Sequence, residues 1–194
     1  MSAEHSHDHN HDHDHDHDDV SAAGRLVISA KDSNLLSVYE LSDGSLLDSF
    51  AVADIPSALA VSPAHRYVLA IQRTTDRVEF IDGGLYQEDH GDHLHPYEED
   101  PRLMSLQLSE SRPTHVTTTD EQIAIFFDGN VATSTVAKVA VLNDEQINTG
   151  SNDYPVLTYS THMHGAAQAR GEYVLSTIRD ATVILVMENG SIVE

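Results

Sequence analysis

Four similar segments recur along the chain, and each predicts a short β-strand that is followed, after a few polar residues, by a second strand. They begin at Arg25, Arg66, Gln122 and Glu172, with sequences such as Arg-Leu-Val-Ile-Ser and Arg-Tyr-Val-Leu-Ala. The segments start about 40 to 55 residues apart, which is the span of one four-stranded propeller blade. This repeat limits the folds available to the chain more than any other feature of the sequence.

Apolar alternation and turn residues predict strands through the whole repeat region, and no helical period stands out. Asp-Gly, Gly-Gly and Asn-Gly pairs separate many of these strands. The predicted strands are 25–29, 36–41, 46–50, 58–61, 67–72, 77–81, 103–108, 116–119, 122–127, 138–142, 166–169, 173–177 and 182–187.

The pattern therefore predicts an all-β protein with WD40- or YVTN-like propeller blades. About four repeats fit between residues 23 and 194, so we expect an incomplete β-propeller, the N-terminal part of a longer ring or a truncated one. A generic antiparallel sandwich is the alternative for a chain so rich in strands. Residues 1–22 have a different composition and form a separate region.

This N-terminal region alternates histidine with aspartate. A neutral imidazole is a good ligand for zinc, copper and nickel, and side chains two residues apart in an extended chain point to the same side. With no apolar residue beyond Met1 and Ala3 before Val20, the arm is expected to be disordered when free and to bind metal. A solvated tail whose metal affinity has no role is the alternative. Its histidines are His5, His7, His9, His11, His13, His15 and His17.

Charge and cysteine content narrow the classes of partner and site. The chain carries 32 acidic and 10 basic residues, a net charge of −22, which repels nucleic acid and anionic membranes and attracts cations or a basic protein face. With no cysteine, disulfides and thiolate metal sites are excluded, so zinc ligands must be His, Asp or Glu. No apolar run is long enough to span a membrane, and no signal peptide is visible.

A second histidine cluster follows the Asp82-Gly83-Gly84 turn. His90, His93 and His95 lie among six acidic residues in a segment whose Gly, Pro and charge content predicts a loop. The loop looks like an insertion into the second repeat. Asp89 or Asp92 would complete a tetrahedral zinc site with two or three of these histidines. An acidic surface loop with incidental histidines remains the alternative.

Two further histidines occupy matched positions in successive repeats. His115 and His164 each come just before the strand that leads into the repeated segment. Because equivalent positions of neighbouring blades lie side by side, we expect these two histidines to be neighbours, with His93 and His95 reaching over them. His162 is a candidate ligand, supporting residue or relay, whereas His65 has the context of a surface turn.

The sequence contains no nucleophile elbow, phosphate loop or H-E-x-x-H motif, so we expect a metal carrier and no enzyme. Zinc storage or buffering is one alternative. A metal-dependent propeller hydrolase or lyase is another, because a metal with an open coordination position can still do chemistry.

The chain resembles the periplasmic zinc metallochaperones of the AztD type, which serve a zinc ABC transporter. The resemblance rests on the His-Asp arm, Phe80-Ile-Asp-Gly-Gly, Asp89-His-Gly-Asp-His-Leu-His, Ile125-Phe-Phe-Asp-Gly and His164-Gly165. It implies a propeller that binds Zn²⁺ and passes it to the transporter's solute-binding protein in the periplasm. It also implies His93, His95, His115 and His164 as the zinc ligands.

Overall fold

Four antiparallel sheets and one separate hairpin make up the chain. The computed structural model describes residues 24–91 and 93–159, and the backbone of four later strands. The arm, Asp92 and His162 to His164 lie outside the described residues. In chain order the strands are β1 (Arg25–Ser29), β2 (Leu35–Glu40), β3 (Leu46–Ala51), β4 (Ala58–Val61), β5 (Tyr67–Gln72), β6 (Arg77–Asp82), β7 (Leu85–Asp89), β8 (Leu94–Glu98), β9 (Arg102–Leu108), β10 (Pro113–Thr118), β11 (Ile123–Phe127), β12 (Lys138–Leu142), β13 (Val156–Thr158), β14 (Ala167–Arg170), β15 (Tyr173–Thr177), β16 (Ile184–Glu188) and β17 (Ser191–Ile192).

The strands pair as the meanders of propeller blades. The first sheet has the order β1-β2-β3, and the second has β4-β5-β6-β9. The third sheet, β10-β11-β12-β13, and the fourth, β14-β15-β16-β17, repeat the same sequential order. The first strands of the third and fourth sheets, β10 and β14, lie side by side. The predicted propeller-like fold with about four repeats is thus confirmed.

Apolar side chains from successive sheets pack face to face. Leu36 and Val38 of the first sheet meet Ala70 and Ile81 of the second. The opposite face of the second sheet supplies the largest cluster, in which residues such as Phe80 pack against the third sheet. This burial of both faces explains why the inner strands β5, β11 and β12 are almost continuously apolar.

Every predicted strand overlaps a strand of the structure, but a short helix, the strand β13 and the hairpin strands β7 and β8 were not predicted. A short helix, α1 (Asp144–Thr149), begins with a capping box between Asn143 and Gln146. Only Ile147 of this helix is buried, so no helical period marks it in the sequence. No helix among the described residues is long and apolar enough to cross a membrane.

The prediction of a loop after Gly84 was wrong, because β7 and β8 form a regular antiparallel hairpin there. The inserted position was correct: the hairpin lies between β6 and β9, the third and fourth strands of the second sheet. Stacked rings of Tyr86 and Tyr97, with centroids 5.0 Å apart, stabilise its pairing. Three of the acidic residues that suggested a loop, Glu88, Asp89 and Glu98, are exposed side chains of these two strands.

Candidate metal centre

The β7–β8 hairpin places its ring side chains on one face. Tyr86 pairs with Tyr97, and Glu88 pairs with His95. Residues directly opposite each other in an antiparallel pair point to the same side. At the tip, the backbone N–H of His90 donates to the carbonyl of His93 at 3.1 Å. The turn thereby brings the remaining two histidines to the same end of the hairpin as His95.

The three hairpin histidines form a mutual cluster. Ring centroids are 5.9 Å apart for His90 and His93, 5.3 Å for His90 and His95, and 5.3 Å for His93 and His95. With zinc–nitrogen bonds of about 2.0 Å, two imidazoles on one tetrahedral zinc have centroids about 5 Å apart. All three side chains are exposed, so a metal ion can reach them directly.

Glu88 is a site residue that the sequence analysis did not identify. Its Oε2 lies 3.8 Å from Nε2 of His90, and its backbone is in register with His95. The neighbouring Asp89 pairs with Leu94 on the opposite face, and its Oδ1 accepts a hydrogen bond from the N–H of Gly91 at 2.7 Å. Recognising β7 as a strand would have found Glu88, because alternation separates residues 88 and 89.

The three histidine rings lie close together, but they are not arranged around a common point. Among the described residues, no group of three or more His, Asp or Glu side chains is arranged to hold a metal ion. Exposed side chains change rotamer readily, so rotation of His90, His93 and Glu88 towards His95 is the adjustment that metal binding requires. The cluster is therefore a set of neighbouring candidate ligands and not a preformed metal site.

A buried ion pair fixes the foot of the hairpin. Arg66 donates to Asp82 from Nη2 at 2.8 Å and from Nε at 3.1 Å, while the N–H of Gly84 donates to the same carboxylate at 2.9 Å. Burial alone would raise the pKa of Asp82, but the hydrogen bonds from Arg66 and Gly84 and the charge of Arg102 lower it below its usual range. Asp82 is thus held ionised where β6 turns into the hairpin.

The arm joins the body at this same foot. Arg25, the first residue of β1, donates to Glu98 at 2.7 Å and to the carbonyl of Gly83 at 3.2 Å. Gly24 and Arg25 line a cleft of about 1030 Å³ that also includes His65 and Leu94. Residues 1–23 therefore attach beside the hairpin that carries the histidine cluster.

His115 lies on a different element from the hairpin. It is exposed on β10, the first strand of the third sheet. The strand β10 contacts β14, which begins at Ala167. Because His162 and His164 lie outside the described residues, the convergence of His93, His95, His115 and His164 on one metal stays a prediction.

Comparison with known proteins identifies relatives of this architecture. No protein-family profile matches the chain. A curated relative, the zinc chaperone AztD of Citrobacter koseri, is 30% identical over 156 residues, which is 80% of this chain and 35% of AztD. The crystal structure of C. koseri AztD superposes with a TM-score of 0.74 at 26% identity, covering 89% of this chain and 46% of that one.

The chain is similar to AztD over most of its own length. The structure of apo AztD from C. koseri has the same fold, with a TM-score of 0.72 at 24% identity over 87% of this chain and 46% of AztD. The chain spans less than half the length of AztD. The shared part includes the stacked blades described above.

Proposed function

We propose that this chain is a zinc chaperone that binds Zn²⁺ at the β7–β8 hairpin and delivers it to another protein. The observation that carries the proposal is the clustering of His90, His93 and His95 with Glu88 on one exposed hairpin face. Three imidazoles and a carboxylate are a usual zinc ligand set. The similarity to AztD, a protein named for zinc chaperone activity, supports this assignment of the cargo.

The exposure of the cluster suits transfer better than permanent storage. A recipient protein can approach the hairpin and exchange ligands one at a time, without unfolding any part of the donor. The proposed recipient is the solute-binding protein of a zinc ABC transporter in the periplasm. The net charge of −22 would guide both zinc and a basic face of that recipient towards the chain.

The N-terminal arm is proposed to feed the hairpin. Its seven alternating histidines offer many weak sites, and its attachment at Gly24 keeps them close to the hairpin foot. Tethering raises the effective concentration of arm-bound zinc near the cluster. His115 and His164 are proposed to contribute ligands together with the hairpin histidines, with His162 as a supporting residue or relay.

The first experiment separates the hairpin from the arm. All seven arm histidines are replaced by glutamine, and zinc affinity of this full-length chain is measured by competition with a chromophoric chelator. Adding His90→Ala, His93→Ala and His95→Ala is expected to raise the zinc Kd by more than about 100-fold. His65→Ala is the matched control, since His65 is exposed near the hairpin foot but outside the cluster. An unchanged Kd in the triple variant would contradict the hairpin site.

A second experiment separates chaperone from buffer. The zinc-loaded chain is mixed with an increasing concentration of a metal-free solute-binding protein, and the rate of zinc transfer is followed. A rate that rises with recipient concentration indicates direct handover. A rate fixed by spontaneous zinc release would instead indicate storage or buffering.

A further inference from the structure

A continuous stack of side chains links the body of the protein to the histidine cluster. The guanidinium carbon of Arg66 lies 3.8 Å from the ring centroid of Tyr86. Tyr86 stacks on Tyr97, with an interplanar angle of 11°. Tyr97 in turn lies 5.9 Å from His95, measured between ring centroids. The order along the hairpin face is therefore cation, two phenol rings and then a metal ligand.

The base of this stack is rigid because Arg66 is held by a carboxylate that is only 1% exposed. Asp82 accepts from both Nε and Nη2 of Arg66, and Arg102 adds a contact at 3.1 Å. A guanidinium held in a fixed plane is a firm platform for an aromatic ring. Tyr86 also donates from its hydroxyl to Glu99 at 3.1 Å, which fixes the far edge of its ring.

The hairpin needs such support, since an isolated two-stranded hairpin is marginally stable in water. Most of its side chains are exposed, while Tyr86 and Tyr97 are half-buried. The stack is thus the contact that ties the exposed tip to the buried Asp82–Arg66 pair.

We infer that Tyr86, acting through Tyr97, is a positioning residue that holds the ring of His95 in place for zinc. This inference rests on the proposed zinc site at the hairpin. A metal site gains affinity when surrounding contacts fix the orientation of its ligands before the ion arrives. Tyr86 does not itself belong to the histidine cluster; its effect passes through the neighbouring ring.

The test compares Tyr86→Leu with Tyr86→Phe in the full-length chain whose arm histidines are glutamine. Phenylalanine keeps the stack and loses only the hydroxyl bond to Glu99, whereas leucine removes the aromatic platform. Tyr39→Leu, in β2 of the first sheet, controls for loss of a half-buried tyrosine elsewhere. Nuclear Overhauser effects between ring protons of Tyr97 and His95 are measured in each variant without metal. The zinc affinity of each variant is then measured.

The ring contacts are expected in the parent chain, in Tyr86→Phe and in Tyr39→Leu, and to be lost in Tyr86→Leu. The zinc Kd of Tyr86→Leu is expected to rise about 3- to 10-fold over that of Tyr86→Phe. Ring contacts of undiminished intensity in Tyr86→Leu overturn the inference, and so does an equal Kd in the two variants. Failure of the proposed function has a different signature: the parent chain and its hairpin triple-alanine variant would bind zinc equally.

Discussion

Glu88 faces His95 across the hairpin, and Asp89, one residue later, faces Leu94 on the other side. Two adjacent carboxylates in one acidic segment therefore have different surroundings. Glu88 shares a face with the three imidazoles, whereas the oxygen of Asp89 accepts the hydrogen bond that forms the turn at Gly91. Strand alternation therefore places Glu88, and not Asp89, on the face of the proposed zinc site.

The first prediction compares these two carboxylates. Glu88→Gln is expected to raise the zinc Kd about 10-fold, because it removes a negative charge and an oxygen ligand from the cluster. Asp89→Asn removes the same charge but retains an oxygen for the Gly91 N–H, so its effect is expected to be smaller. Zinc competition in the chain with arm glutamines measures both, and a larger effect of Asp89→Asn would reject Glu88 as the ligand.

The second prediction concerns the turn into the hairpin. Gly84 has a φ of +79°, and a Cβ there would overlap the carbonyl group of Glu99. Gly84→Ala is expected to lower the free energy of unfolding by about 3 kcal/mol or more, from both backbone strain and this overlap. Gly44 has a φ of +73° with open space around it, so Gly44→Ala is expected to cost only about 1 kcal/mol. Urea denaturation measures the free energy of unfolding of both variants. Equal losses would show that the structure relieves the overlap with Glu99.

The third prediction tests a link between the second and third sheets. Ser62, fully buried after β4, donates to Oδ2 of Asp144 at 2.6 Å and accepts from the N–H of Tyr67 at 3.1 Å. Ser62→Ala leaves the buried N–H of Tyr67 without this acceptor and removes the donor to Oδ2 of Asp144, so it is expected to lower the free energy of unfolding by about 2 kcal/mol. Ser49→Ala removes an exposed hydroxyl contact in β3 and is expected to change stability by less than about 0.5 kcal/mol. Comparable values for the two variants would mean that the buried link adds nothing to stability.

The fourth prediction concerns alkaline pH. Burial, aided by the negative charges of Asp82 and Asp144, raises the pKa of Tyr67 to about 12, despite the opposing effect of Arg66. The unfolded chain releases this proton near pH 10 while the folded chain retains it, so stability falls as pH rises between about 10 and 12. Tyr67→Phe is expected to flatten this fall in a series of denaturant titrations. If the free energy of unfolding of Tyr67→Phe fell with pH as steeply as that of the parent chain, the assignment of this pH dependence to Tyr67 would be contradicted.

The repeated segments show how far pattern analysis extends and where it stops. Arg25 and Arg66 open similar sequences, yet Leu26 is 47% exposed and Tyr67 only 1%. When the two segments are aligned, their buried positions are therefore offset by one residue. An offset of one residue exchanges the two faces of a strand. Sequence similarity located both strands but could not decide which alternating residues are buried, because that depends on the neighbouring sheet.

The amino-acid pattern alone determined the strands, the propeller-like repeat and the histidine-rich character of the arm and insertion. These features depend on residue type and on local periodicity, which a single sequence contains. Only the tertiary structure decided that the insertion is a hairpin, that Glu88 joins His90, His93 and His95, and that Arg66 supports Tyr86. Those relationships depend on the register between strands and on contacts between residues distant along the chain, and neither is written in local sequence.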